Sequence, residues 1–189
     1  MGSAHDGLLP PGGAVRASVP GRPVSRIVLR GRPKLTAISV QCPTDVVVTC
    51  LTEREGALQI VEAVRRAGKE SIWLAFTCNS VTEPDLPWLA LGAADIAGRL
   101  RAGSTVTVHC SAGLHRTGVI AYAALRRAGL SETDTWSTIA VAREQTAQEL
   151  GRYLELARTV AGWPLAERPP RHLGSGRLGP LRVAQERAL

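Results

Sequence analysis

A thiol and a guanidinium, those of Cys110 and Arg116, frame a short segment that could bind and attack a phosphate. The segment follows the β-branched run 105–108 and precedes the apolar run 119–122, so we predict a strand, a tight loop and the start of a helix. Backbone N–H groups of such a loop, together with those of the first helical turn, form a nest that binds an anion. Arg116 would add a planar fork that suits two phosphate oxygens.

The same surroundings would activate Cys110. A free cysteine has a pKa of about 8.5, which falls to roughly 3.5–7.5 at a helix N-terminus or beside a cation. The thiolate would then be the resting form and a ready nucleophile. Thr117 could donate a hydrogen bond to the sulfur, and His109 is expected behind the loop, where it holds backbone and does not react.

The spacing Cys-x5-Arg, the preceding His109 and the following Thr117-Gly118 resemble the signature of the cysteine-dependent protein tyrosine and dual-specificity phosphatases. The resemblance is close over residues 105–129 and extends in outline over about 35–163. It implies hydrolysis of a phosphomonoester through a phosphocysteine, with Cys110 as nucleophile, Arg116 as phosphate ligand, and neither cofactor nor metal. It also implies that the other loop residues contact the substrate: Ser111, Ala112, Gly113, Leu114, His115 and Thr117.

The leaving oxygen needs a proton, and a positioned acid contributes a factor of roughly 100–10,000. In the resembled family this acid is an Asp on a loop before the helix that precedes the signature. Asp85 occupies the corresponding region, and Glu83 is the second choice. A different alignment of the loop places the acid near Asn79 or Ser80, neither of which can serve. Asp85 would then favour only the N-terminus of a helix.

The fold class predicted from the order of elements is α/β, a single domain with a mostly parallel central sheet flanked by helices. Strands are expected at 26–30, 45–51, 71–76 and 105–108. Helices are expected after a capping box at Thr52 and Glu55, over 86–100, after the signature loop, from 131, and over 145–162. Residues 1–24 are predicted to be a flexible segment, 25–163 the phosphatase-like domain, and 164–189 a flexible basic tail.

Composition bounds the class of protein. The chain has 189 residues and a formal net charge of +7, enough for one domain with a sizeable core. The basic excess lies in the two ends, whereas residues 35–164 are nearly neutral, so the loop itself must attract phosphate. The sequence contains neither a secretory leader nor an apolar stretch of membrane-spanning length, and a cytoplasmic location is expected. The four cysteines, in no metal-binding pattern, indicate a reducing compartment.

Substrate class stays open at this point. A phosphorylated protein is the first expectation, with tyrosine ahead of serine or threonine. The same loop resembles those of RNA 5′-triphosphatases and inositol-lipid phosphatases, which makes a phosphorylated nucleic acid or a phosphoinositide the second. A third alternative, from another class, is a pseudophosphatase module that binds phosphate without turnover.

Overall fold

The centre of the molecule is a five-stranded sheet. A computed structural model describes residues 14–17, 25–38 and 43–165, and in it the strands lie in the order β1-β2-β5-β3-β4. β2 to β5 are parallel, and β1 pairs antiparallel with β2 at one edge. The predicted α/β class with a mostly parallel sheet is confirmed. The strands are β1 Ala14–Ala17, β2 Ser25–Arg30, β3 Val46–Thr49, β4 Glu70–Trp73 and β5 Thr105–His109.

Strand β1 differs from the expectation that residues 1–24 are flexible throughout. Its four residues pair with β2 in the register Ala14↔Val28 to Ala17↔Ser25. An edge strand is held by backbone hydrogen bonds to its neighbour. It does not need alternating apolar residues, and the sequence pattern therefore gave no signal for β1. The rest of 1–24, the tail from 166 and Cys42 lie outside the described residues, and the proposed domain limits stay a prediction.

Six α-helices pack around the sheet in the described part of the chain. The helix expected over 145–162 is interrupted by a 3₁₀ turn at Gly151–Tyr153, so two shorter helices replace it. In the described residues, no helix has both the length and the apolar character needed to cross a bilayer. The helices are α1 Ala57–Arg66, α2 Leu86–Arg101, α3 His115–Ala128, α4 Glu132–Ala142, α5 Glu144–Leu150 and α6 Leu154–Gly162.

The register of the central strands decides what meets the signature loop. β5 lies between β2 and β3, and its Val106 and Val108 are fully buried. His109, the last residue of β5, is level with Arg30 on one side and with Thr49 on the other. The loops that leave the carboxyl ends of these three strands therefore converge at one edge of the sheet, where ligands bind in parallel α/β folds.

Candidate active site

Cys110 directly follows β5, and its side chain lies inside the loop that leads to α3. The backbone N–H of Gly113 donates to its sulfur at 3.2 Å. Burial by itself would raise the pKa of the Cys110 thiol, but the polar groups of Thr117, Gly113 and Leu114 around the sulfur outweigh it, so the pKa lies below its ordinary value. The buried Thr117 hydroxyl has no hydrogen-bond partner of ordinary geometry among the described residues. The Gly113 amide thus points at the sulfur, and the polar surroundings of the loop favour the thiolate.

Arg116 is held at the loop by an ion pair that the sequence did not indicate. Its Nη1 and Nη2 donate to the two carboxylate oxygens of Glu55, each at 2.7 Å, and Nη1 also donates to the carbonyl of Phe76 at 3.2 Å. These bonds use three of the five guanidinium N–H groups. The Nε–H and the second Nη2–H have no partner among the described residues, and they lie side by side as a fork for two phosphate oxygens.

Glu55 is also held in position by hydrogen bonds from Thr52, within its own turn. Its Oε2 accepts from the backbone N–H and the hydroxyl of Thr52, both at 2.9 Å, which confirms the predicted capping box. The hydrogen bond from Arg116 outweighs the effect of burial and, with the Thr52 bonds, lowers the pKa of Glu55 to about 2. Glu55 therefore stays ionised at all physiological pH values and holds Arg116 by charge as well as by geometry.

His109 lies behind the loop, as predicted. It is fully buried, and its Nε2 is 3.0 Å from the hydroxyl of Thr49 on the neighbouring strand. Burial lowers the pKa of His109 to about 4; the nearby charges of Arg30, Arg32 and Arg116 contribute in the same direction, and the Cys110 backbone acts in the opposite one. Nδ1 is buried without a hydrogen-bond partner among the described residues. The imidazole is therefore neutral at physiological pH and serves as a structural link between β3 and β5.

Gly113 gives the loop its curvature. Its φ is +76°, in the left-handed region that favours glycine, and a Cβ there would lie only 2.2 Å from the carbonyl carbon of Arg30 and 2.3 Å from Nη1 of Arg143. The N–H of Arg32 donates to the carbonyl of Ser111 at 2.9 Å. The segment that follows β2 thus supports the loop from behind at backbone distance, and any side chain at Gly113 would displace it.

Helix α5 supports the loop from a second side. The buried hydroxyl of Thr146 donates to the carbonyl of Gly113 at 2.7 Å. A Cβ on Gly118 would lie 3.3 Å from both Thr146 and Leu150, so the first turn of α3 also packs closely against α5. The half-buried Arg143 has no hydrogen bond or ion pair through its guanidinium among the described residues, and it adds an unneutralised positive charge beside the loop.

His115, the loop residue before Arg116, makes side-chain contacts of its own. Its Nε2 is 3.1 Å from Oε2 of Glu149 on α5, and its ring centroid lies 5.1 Å from that of Tyr153. The Tyr153 hydroxyl donates to the side-chain oxygen of Asn79 at 3.0 Å. These contacts link the loop to the 77–85 region, which contains the predicted general acid Asp85 and the second choice Glu83.

Asp85 caps the start of the segment that becomes α2. Its Oδ2 accepts from the backbone N–H and the hydroxyl of Thr82, both at 2.8 Å. Glu83 is exposed in the same 3₁₀ turn. Neither carboxyl has a described contact with Cys110 or Arg116, and the role of either as general acid stays a prediction.

The structure adds Glu55, Thr146 and Glu149 to the residues found from the sequence. Glu55 carried a signal, the capping box, but its second partner lies 61 positions away. The other two lie on a helix that the sequence marks only as amphipathic. Within the described residues, the His, Cys, Asp and Glu side chains form no group of three or more that could hold a metal ion.

Comparison with known proteins bears on the fold and on the signature region. The chain matches the tyrosine phosphatase family over residues 92–154, which include the signature loop, α3, α4 and α5. None of the curated proteins is significantly similar to it in sequence.

Several solved structures are similar in fold. Tk-PTP in its active form has a TM-score of 0.54 and 22% identity, over 72% of this chain and 91% of that chain. Kinase-associated phosphatase with its catalytic-site cysteine replaced by serine has a TM-score of 0.52 and 11% identity, over 74% and 88%. PTPMT1 in complex with PI(5)P has a TM-score of 0.50 and 19% identity, over 71% and 91%. The match over 92–154 and this shared fold together confirm the predicted resemblance to the cysteine-dependent tyrosine phosphatase family.

Proposed function

We propose that this protein hydrolyses phosphomonoesters through a phosphocysteine intermediate, with phosphotyrosine in a protein as the first substrate to test. The observation that carries the proposal is the arrangement at Cys110 and Arg116. A thiol whose pKa is lowered by the Thr117 side chain and by loop backbone groups lies beside an arginine that keeps two adjacent donors free. A module that only bound phosphate would need the amides and the arginine but no activated thiol.

In the first step the Cys110 thiolate attacks phosphorus in line, the S–P bond forms and the P–O bond to the leaving group breaks. The leaving oxygen takes a proton from a general acid. The free Nε and Nη2 donors of Arg116 and the N–H groups of the loop bind the equatorial oxygens, on which charge accumulates in the transition state. In the second step water attacks phosphorus, inorganic phosphate leaves, and Cys110 returns to the thiolate.

The experiment is phosphate release from a phosphotyrosine peptide by the purified protein, with Cys110→Ser as the matched variant. Serine has nearly the shape of cysteine, but its hydroxyl is not ionised at neutral pH and cannot replace the thiolate as nucleophile. Binding should therefore persist while phosphate release stops. Peptide binding by both proteins with release by neither would favour a binding module. Release that is equal in both proteins would show that Cys110 is not the nucleophile.

A second substrate class, phosphoinositides, has support of its own. The unneutralised guanidinium of Arg143 lies beside the loop, where it would add attraction for a ligand with a second phosphate. PTPMT1, which shares the fold, has a structure in complex with PI(5)P. Phosphate release from short-chain PI(5)P and from triphosphate-ended RNA, measured beside the phosphotyrosine peptide, separates the three substrate classes.

A further inference from the structure

Cys50 is a buried thiol that the proposed reaction does not use. It directly follows β3, as Cys110 directly follows β5, and these two strands are neighbours in the sheet. Both residues are buried, with exposed fractions of 0% for Cys50 and 3% for Cys110. The chain therefore places a second thiol at the end of the strand next to the one that carries the nucleophile.

The strand register brings the two cysteines opposite each other. Thr49 is level with His109, and the N–H of Cys50 donates to the carbonyl of His109 at 2.8 Å, which extends the pairing by one residue. Neighbouring strands lie about 4.8 Å apart, and a disulfide joins residues whose Cα atoms are about 4.4–6.8 Å apart. Residues directly opposite each other in a sheet also share a face. The spacing and the shared face therefore suit a bond between the sulfurs of Cys50 and Cys110.

Electrostatics separates the roles of the two thiols. Burial and the charge of Cys110 raise the pKa of Cys50 well above its ordinary value, so Cys50 stays protonated while its neighbour favours the thiolate. Oxidation of Cys110 to a neutral group removes that negative charge, whereas the positive charge of Arg116, which lowers the pKa of Cys50, remains. Cys50 therefore becomes easier to ionise only once Cys110 has been oxidised.

We propose that Cys50 is a redox modification site, which captures oxidised Cys110 in a disulfide and so inactivates the enzyme reversibly. The inference rests on the activated Cys110 of the proposed function. The oxidant is a hydroperoxide: the Cys110 thiolate attacks one peroxide oxygen, the O–O bond breaks, hydroxide leaves and a sulfenic acid forms. The Cys50 sulfur then attacks the Cys110 sulfur, the S–O bond breaks, and the hydroxyl leaves as water with the Cys50 proton. A dithiol reduces the disulfide and restores both thiols.

Cys78 is the remaining free cysteine in the described part of the chain, and its placement suits a disulfide less well. It is half-buried in the 3₁₀ turn Cys78–Ser80, outside the sheet, and no backbone pairing joins it to Cys110. Burial, with the charge of Cys110, raises the pKa of Cys78 to about 11. Because the charge of Cys110 acts on it too, Cys78 is the matched control for Cys50.

The test treats the purified protein with hydrogen peroxide and follows p-nitrophenyl phosphate hydrolysis before and after addition of dithiothreitol. The wild type should lose activity and regain nearly all of it with the dithiol. Without a resolving thiol the sulfenic acid proceeds to sulfinic and sulfonic acids, which dithiothreitol does not reduce, so Cys50→Ala should regain about 10-fold less activity. Cys78→Ser should recover like the wild type.

Peptide mass mapping of the oxidised wild type supplies a readout that requires no variant to fold. A disulfide between Cys50 and Cys110 is expected, and inorganic phosphate, which occupies the loop, should slow its formation. Irreversible oxidation of the wild type, equal recovery in Cys50→Ala, or a disulfide from Cys110 to Cys42 or Cys78 overturns the inference and leaves the phosphatase proposal intact. A wild type that forms the expected disulfide but hydrolyses no phosphate ester overturns the phosphatase proposal alone.

Discussion

The contact between Glu55 and Arg116 offers the sharpest test of how the site is held together. The pKa of Glu55 is about 2 in the folded chain, against an ordinary value of 4.5. At about 1.4 kcal/mol per pKa unit, this difference stabilises the folded state with Glu55 ionised by about 3 kcal/mol. The Glu55 side chain is 28% exposed, and because solvent screens part of this term, we expect Glu55→Gln to cost about 2 kcal/mol at pH 7.

The effect should depend on pH in a defined direction. A carboxyl whose pKa is lowered by folding stabilises the protein above its unfolded-state value and loses that contribution as the pH falls towards its folded-state value. The difference between wild type and Glu55→Gln should therefore be constant from pH 7 to about 5. It should shrink towards zero as the pH falls from 4.5 to about 2, by about 0.8 kcal/mol per pH unit on average for a total of about 2 kcal/mol.

Urea unfolding at several pH values measures this difference, and a melting temperature about 4–8 °C lower is the corresponding shift at pH 7. Glu53→Gln is the matched control, because Glu53 is exposed in the same 3₁₀ turn and forms no ion pair among the described residues. Released from Glu55, Arg116 should also orient phosphate less well, and kcat/KM for p-nitrophenyl phosphate should fall about 10–100-fold. Equal losses in the two variants, or a difference that stays constant down to pH 3, would refute the reasoning.

Three further outcomes are expected. Iodoacetate at pH 7 should modify Cys110 before Cys50, because the loop's polar groups lower the pKa of Cys110 against the effect of burial, whereas burial raises the pKa of Cys50. Peptide mass mapping shows the order of modification, and prior reaction at Cys50 would contradict the prediction. Gly113→Ala should abolish p-nitrophenyl phosphate hydrolysis and lower the melting temperature. Gly98→Ala is the control: a Cβ at this position of α2 meets nothing within 4 Å, and alanine should stabilise the helix by about 0.5–1 kcal/mol. Similar melting temperatures in the two variants would count against the loop geometry. Thr146→Val should cost about 1–3 kcal/mol in urea unfolding, since it leaves the buried carbonyl of the loop without its donor; an unchanged midpoint would mean that α5 does not support the loop.

Local patterns in the sequence were sufficient for the parts of the protein that local physics controls. The β-branched run before Cys110 predicted β5, and the change of period after the loop predicted α3. The Thr52 to Glu55 capping box formed as expected, because it joins residues within one turn. The nucleophile and the arginine were likewise recognisable, since their spacing along the chain is fixed by the loop that joins them.

The contacts between distant segments were decided only by the tertiary structure. The strand order placed β5 between β2 and β3, and this brought Thr49 to His109 and Glu55 to Arg116 across separations of 60 and 61 residues. The packing of α5 against the loop brought the Thr146 hydroxyl to the carbonyl of Gly113, 33 residues away. Edge pairing made a strand of residues that composition assigned to a flexible end. Each of these outcomes depends on how helices and strands pack against one another, and that packing is a property of the whole chain, whereas propensity and hydrophobic period act over only a few turns.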